Sequence, residues 1–284
     1  MLDKKLEICT VCKSSNIKLL KIFDIGRSYI CNNCKSIIND PLVNTDSVYD
    51  ENYYENNYNA IIEDQKKTSY EILNKLKEFS VENNKILDYG CGTGVFLYCA
   101  NNLGYEQLVG VDVSKDAITF AKKHSNNKFY ELLKFNTTSE LKTQQFNVIT
   151  FLDSIGHIRN IQNIFKNLIK NRLDNNGERI IVIRTPRINK LYLWYIKSIL
   201  FFAPNKYLQS LFFMPNRHVV FNQKSINIFL KRFNFEVLSI DYQNDYKSNL
   251  NYLNMKSFLK SIIKIVPKII NPNNSMLIIA RKAQ

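Results

Sequence analysis

KILDYGCGTGVFL occupies Lys85 to Leu97. The first half, KILDY, is a short apolar run of the kind that forms a strand buried on both faces. Three of the chain's eight glycines, Gly90, Gly92 and Gly94, then fall within five residues. The second half, VFLYCAN, has helical character. Strand, glycine turn and helix in that order describe a tight crossover. Its bare backbone lets a ligand approach a helix N-terminus.

Two carboxylates flank the turn. Asp112 ends the next strand-like run, QLVGVDV (107–113), 22 residues after Gly90. A carboxylate there is placed to accept both hydroxyls of an adenosine ribose. Asp88 stands two residues before the first glycine. A turn that cradles pyrophosphate would be opposed by that charge, whereas a cationic ligand would be attracted. S-adenosylmethionine carries an ammonium and a sulfonium and no phosphate. The alternative is that Asp88 only caps the turn.

Outward from this unit the pattern repeats. KFYELL (128–133), FNVITFLDS (146–154), ERIIVIRTP (178–186), FEVLSID (235–241) and SMLIIARK (275–282) read as further strands. Helical patterns lie between most of them. In the one that begins at Ile161, Ile161, Ile164, Phe165, Leu168 and Ile169 share a face. Strands alternating with helices predict a doubly wound α/β sheet. The last two strands lack a helical link and are free to pair antiparallel. Residues 187–224 and 242–274 interrupt the rhythm and read as insertions at one end of the sheet.

ILDYGCGTGVFL resembles the first motif of the class I S-adenosylmethionine-dependent methyltransferases. VGVDVSKDAITFAKK resembles the second, with Asp112 as the ribose-binding acid. FNVITFLDSIGHI, NNGERIIVIRTP and HVVFNQKSINIFLKRFNFEVLSID resemble the fourth-strand, fifth-strand and late segments of the same family. The likeness spans roughly residues 80–241. Glu178 and Asn234 stand where the family has glycine, away from the cofactor. The resemblance implies a Rossmann-like sheet of order 3-2-1-4-5-7-6 with the last strand antiparallel. It further implies Asp88, Gly90, Cys91, Gly92, Gly94, Asp112, Val113, Asp153 and Tyr54 as cofactor-binding positions. An adenine-binding acid after the third strand is not evident.

The first 44 residues have a different logic. Cys9-x2-Cys12 and Cys31-x2-Cys34 are separated by 18 residues, a spacing suited to a four-thiolate zinc ribbon. Closed coordination of that kind is structural. Disulfides or idle thiols are the alternative, and Cys91 and Cys99 read as packing residues. The organisation expected is a zinc ribbon at 1–44, a Tyr-rich linker and helix at 45–80, and a methyltransferase domain at 81–284. The domain would carry a helical lid within its insertions.

A methyl acceptor needs a base if it is a hydroxyl. His157 follows the fourth strand at the carboxyl edge, and His218 precedes a helix; each is a candidate base or a packing residue. Asp153 is a candidate contact for the cofactor's methionine part or for an acceptor hydroxyl. Tyr53, Tyr54 and Tyr58 either close over the cofactor or pack. His124 reads as a helix C-terminal residue.

The net charge is +14, and residues 184–284 hold sixteen Lys/Arg against three Asp/Glu. That basic third fits an anionic membrane surface, phosphate or an acidic glycan, or else reflects AT-rich codon usage. Around Trp194 the first insertion is rich in aromatic residues, suiting a lid or an amphipathic surface at anionic lipid. No run of about 18 uncharged apolar residues exists; Leu191–Pro204 is the longest approach and contains Lys197. MLDKKLEICT lacks an apolar signal core, so a cytoplasmic chain is expected, with peripheral contact at the inner membrane face open to it.

A zinc ribbon followed by YDENYYENNY resembles methyltransferases of sugar and surface-glycan biosynthesis. The balance of charge in residues 1–44 is only +3, with no interleaved basic and aromatic residues for nucleic acid. O-methylation of a sugar, sugar nucleotide or glycan is therefore the leading expectation. Methylation of ribosomal RNA gripped by the ribbon is the second. An inactive binding protein on a methyltransferase scaffold is the third.

Overall fold

In a computed structural model, residues 6–41, 51–79, 85–124, 128–131, 144–173, 179–200, 205, 208, 217–244, 269–271 and 273–283 are described, with 51–61, 124 and 128–131 by backbone course alone. Tyr53, Tyr54, Tyr58 and His124 therefore lie outside the residues whose side chains are described, as does most of the 242–274 insertion.

The central sheet has seven strands: β4 (Ile86–Tyr89), β5 (Leu108–Asp112), β6 (Lys128–Glu131), β7 (Val148–Leu152), β8 (Ile180–Pro186), β10 (Phe235–Gln243) and β11 (Ser275–Lys282). Their spatial order is β10-β11-β8-β7-β4-β5-β6. Numbered within the sheet alone, this is 3-2-1-4-5-7-6 read from the other edge, as expected. β4 through β8 pair in parallel, whereas β11 runs antiparallel to both β8 and β10.

Helices cover both faces, which explains why the parallel strands are apolar without alternation. Ile86, Val148, Ile180 and Val182 meet α1 (Glu51–Lys77), α2 (Val95–Asn102) and α3 (Lys115–His124) on one side. Leu87, Ile149, Phe151, Ile181 and Ile183 meet α4 (Ile161–Asn171) and α6 (Gln223–Arg232) on the other. Phe165 of α4 is the hinge-pin of that second core. Its ring lies 5.7 Å from Phe151, 4.8 Å from Phe229 and 6.0 Å from Phe235. Asn222 and Ser225 start α6 with a reciprocal capping box.

The cysteine region folds as an antiparallel sheet, β1 (Ile17–Phe23), β2 (Gly26–Cys31) and β3 (Ile37–Pro41). It does not end there. β9 (Val219–Val220), from the first insertion, adds a fourth strand beside β3. The insertion's helix α5 (Lys190–Ile199) packs its inner face against the same sheet, joining Ile196 and Leu200 to Phe23, Ile37 and Val220. Ribbon and insertion thus form one unit at the carboxyl edge of the large sheet.

Candidate active site

The site begins at the end of β4. Gly90 and Gly92 have φ of +83° and +51°, a left-handed backbone that side chains resist. Gly90 has a second reason to be glycine. A Cβ there would fall 2.3 Å from Cβ of Ser154, and Ser154 Oγ donates to the carbonyl of Tyr89. The loops after β4 and β7 are therefore in contact. Gly92 differs, because among the described residues no atom lies within 4 Å of where its Cβ would be. Bare backbone here faces open space, the property a ligand cradle requires. Gly94, the remaining predicted glycine, N-caps α2. Cys91 is buried, and burial pushes its thiol well up, so it packs the loop as a neutral group.

Asp112, at the tip of β5, holds the cradle's shape. One carboxylate oxygen accepts from the backbone N–H of Gly92 at 2.8 Å, and the other from Ser114 at 2.9 Å. A carboxylate has about four acceptor positions, so capacity for ribose hydroxyls remains. Burial raises its pKa, while the N–H groups of Ser114, Gly92 and Val113 oppose that rise. Val113 comes next and is 55% exposed. An apolar side chain left open beside this carboxylate offers a flat ring a surface to lie against.

Asp88 is only 2% exposed. Thr150 on the neighbouring strand donates to it at 2.6 Å. Desolvation dominates, aided by the nearby Asp112 charge, and pushes the carboxyl up to about 7. A buried acid poised there gains most from a cation. Donor chemistry and site agree on that point: two carboxylates, an open glycine backbone and an apolar platform fit a cationic adenosine compound.

Asp153 follows β7 with φ of +59°. It forms an ion pair with Arg184 of β8, whose Nε also donates to Gln243 at the end of β10, at 3.1 Å. Asp153, Arg184 and Gln243 thus form a polar bar across the carboxyl edge. Arg184 was missed by reading for motifs. Its signal was a lone charge inside the apolar run IIVIRTP.

The two candidate bases are brought to one place. His157 ends the 3-10 turn Ile155–His157, and the backbone N–H of His218 donates to the carbonyl of Gly156 at 2.8 Å. A Cβ on Gly156 would lie 2.9 Å from the carbonyl of Val219, so the two segments touch through backbone. Asn39 of β3 secures the junction from the ribbon side. Its N–H donates to the carbonyl of His218 and its side-chain amide to that of Arg217, each at 2.8 Å. Ser28 in turn donates to Asn39 Oδ1 at 2.7 Å. Asn39 and Ser28 lie outside the predicted set, since polar residues in a ribbon carry no motif.

Cys9, Cys12, Cys31 and Cys34 converge, with all four Sγ atoms within 4.8 Å of one another and every one buried. The two knuckles are built alike. Lys13 and Lys35 each take φ of +62°, and each donates its N–H to the carbonyl of the knuckle's first cysteine. The backbone N–H groups of Cys12 and Cys34 point at the sulfurs of Cys9 and Cys31, both at 3.5 Å. Amide donors aimed at sulfur stabilise thiolates, so the donor set fits a tetrahedral soft-metal site. Hydrogen bonding with Cys34 draws Cys9 down to about 5 and pushes Cys34 up. The catalytic domain grips the knuckles: Gln162 donates to the carbonyls of Thr10 and Val11, Asn222 to that of Cys34, and Arg232 to that of Cys12.

Comparison with known proteins agrees with this fold. Residues 63–240 match the family described as "Methyltransferase domain". A ribosomal protein L11 methyltransferase from Thermotoga petrophila is 38% identical over 58 residues, 20% of this chain and 22% of that one. A mitochondrial ubiquinone biosynthesis O-methyltransferase from Dictyostelium discoideum is 28% identical over 133 residues, 42% of this chain and 40% of that one. The chain thus spans well under half the length of these curated relatives. Among solved structures, a complex between the Haloferax volcanii Trm112 methyltransferase activator and a methyltransferase gives a TM-score of 0.51 at 10% identity, over 72% of this chain and 84% of that one. The matched stretch runs from α1 through the glycine turn and the Asp112 strand into β10, more than half of the sequence, and the chain belongs to the methyltransferase-domain family.

Proposed function

We propose that this protein transfers a methyl group from S-adenosylmethionine to a hydroxyl of a sugar, sugar nucleotide or surface glycan. The observation that carries the donor is the open backbone at Gly92, braced by Asp112 and backed by buried Asp88. The donor supplies an electrophilic methyl on a sulfonium. Asp112 would hold the ribose hydroxyls, Val113 would face the adenine, and Asp88 would favour the cationic end.

The acceptor hydroxyl would lie between the donor cradle and the edge formed by Asp153, Arg184, His157 and His218. An imidazole of that pair takes the hydroxyl proton as the new C–O bond forms. The Asp153–Arg184 pair is anchored from two strands and serves to position rather than to move. Alignment of this kind contributes about 7–11 kcal/mol to such displacements. Likeness to an O-methyltransferase supports oxygen as the acceptor atom, and the ribbon with its Tyr-rich sequel supports a sugar. Zinc at Cys9, Cys12, Cys31 and Cys34 would cross-link the ribbon and leave no position open for chemistry.

Calorimetry with S-adenosylmethionine, its demethylated product and a nicotinamide dinucleotide tests the donor. Heat from the first two alone is expected; none from any would mark an inactive scaffold. Labelled donor is then offered to sugar nucleotides, glycan and ribosomal RNA. Label in the RNA, with binding that collapses as salt rises, would replace the sugar reading.

A further inference from the structure

We propose that the outer face of α5, with Ile269 beside the residue bonded to its N-cap, docks on a membrane leaflet containing anionic lipid. Trp194 is 71% exposed, Ile269 69% and Leu191 63%, the three highest values for large apolar side chains among the described residues. They are not scattered. Leu191 and Trp194 are both on α5, and Asn189, which caps α5, donates from its side chain to the carbonyl of Ile270 at 2.6 Å.

The helix is two-faced. At about 100° per residue, Lys190, Leu191, Trp194, Lys197 and Ser198 share one side. All five are exposed. The opposite side, centred on Ile196, is committed to the ribbon's sheet. Trp194 stands in the middle of the free side, with Leu191 on one flank and Lys190 and Lys197 on the other.

Charge identifies the partner. Beyond Asp245 the sequence contains no acidic residue, and Lys256, Lys260, Lys264 and Lys268 recur every fourth position just before Ile269. An apolar patch with tryptophan at its centre and Lys190 and Lys197 on its flank matches the interface of a bilayer, where rings settle at headgroup depth and cations meet anionic lipid. A second copy would bring the same positive field against itself. RNA would satisfy the lysines and leave the apolar side chains in water. No helix of the described residues is long and apolar enough to cross a membrane, and the proposed contact lies along α5 rather than through the bilayer. The inference is independent of the acceptor's identity.

Trp194 is the only tryptophan in the chain, so its fluorescence reports on this face alone. Vesicles of phosphatidylcholine mixed with phosphatidylglycerol should shift its emission to the blue, and brominated acyl chains should quench it. Phosphatidylcholine alone should do neither. Two double variants, L191S/W194S and K190E/K197E, should each lose more than about tenfold in pelleting with the anionic vesicles, and added salt should weaken binding of the parent. Circular dichroism checks their folding; if either is unfolded, acyl-chain quenching of the parent decides. Absence of both shift and quenching at low salt overturns the proposal. So does an emission change produced equally by an RNA homopolymer without acyl quenching. A blue shift that grows with protein concentration in the absence of vesicles would assign the face to a second copy instead.

Discussion

Replacing Asp88 with asparagine isolates the electrostatics of the donor cradle. The substitution is nearly isosteric, and the new side-chain oxygen can still accept from Thr150, which lies 2.6 Å from the native carboxylate. What disappears is the cost of a buried charge. A carboxyl held at about 7 rather than 3.8 is harder to ionise in the folded chain. At about 1.36 kcal/mol per pH unit the difference is roughly 4 kcal/mol. Below about pH 4 both states are protonated and the cost is absent. As pH rises to about 7 the unfolded chain has lost a proton that the folded chain keeps, so stability falls through that window and levels off above it. The D88N chain lacks this decline. Denaturant unfolding from pH 5 to 8 without ligand should therefore show D88N gaining on the parent, with the gap largest at the alkaline end. A cationic donor favours the ionised form, so parent affinity should rise roughly tenfold from pH 6 to 7.5, while D88N shows weak binding without that slope. Stability profiles that stay parallel across the range would refute the desolvated carboxyl on which this argument rests.

Other perturbations separate ligand from scaffold. Gly92→Ala should cost only about 1–2 kcal/mol of stability, for its left-handed backbone, yet weaken donor binding more than about tenfold by calorimetry, since its Cβ enters open space. Gly90→Ala meets Ser154 at 2.3 Å and should lower the melting temperature much further; melts ranked the other way would contradict the geometry. Cys34→Ser should abolish stoichiometric zinc in metal analysis and lower the melting temperature; retention of a full equivalent would dismiss the four-thiolate site. Asn39→Ala removes the acceptor of the Ser28 hydroxyl and a donor to the Arg217 carbonyl, two hydrogen bonds whose loss costs about 1–3 kcal/mol in all. It should raise KM for the acceptor while donor affinity holds, and an unchanged acceptor KM would separate the ribbon from catalysis.

The large sheet was legible because most of its strands are apolar runs and because a glycine turn between a strand and a helix marks a crossover. Its antiparallel edge was foreseeable from the irregular sequence that links the last two strands. The cysteine knuckles were legible from spacing alone. What escaped reading is made of single residues and short pairings. β9 is two residues long, below any periodicity, and its partner lies about 180 residues earlier. Arg184 and Asn39 are buried polar groups whose roles are set by neighbours distant in sequence. Gly90 was read correctly as a turn residue, but its contact with Ser154 belongs to packing between loops, which no local pattern encodes. The placement of α5 on the ribbon was likewise hidden, since a helix with apolar residues around much of its circumference does not say which side it buries.

The ribbon's attachment bears on how the acceptor edge is ordered at all. In an open α/β sheet the residues beyond the strand tips are loops, and loops hold catalytic groups only as firmly as their anchors allow. Here the segment bearing His218 becomes a strand because β3 pairs with it, and β3 is fixed because the cysteine knuckle next to it is closed. Asn222 reaches from the cap of α6 to the carbonyl of Cys34, tying the far end of that segment to the same knuckle. A two-residue strand has too few bonds to persist alone. Its order is borrowed from the ribbon, and the ribbon has little core of its own from which to lend it. Metal binding at the four thiolates would therefore be felt at His218 and Gly156, whose backbones are joined, before it is felt at Gly92 on the donor side. A structural ion at the four thiolates would in this way govern where the acceptor sits without touching it.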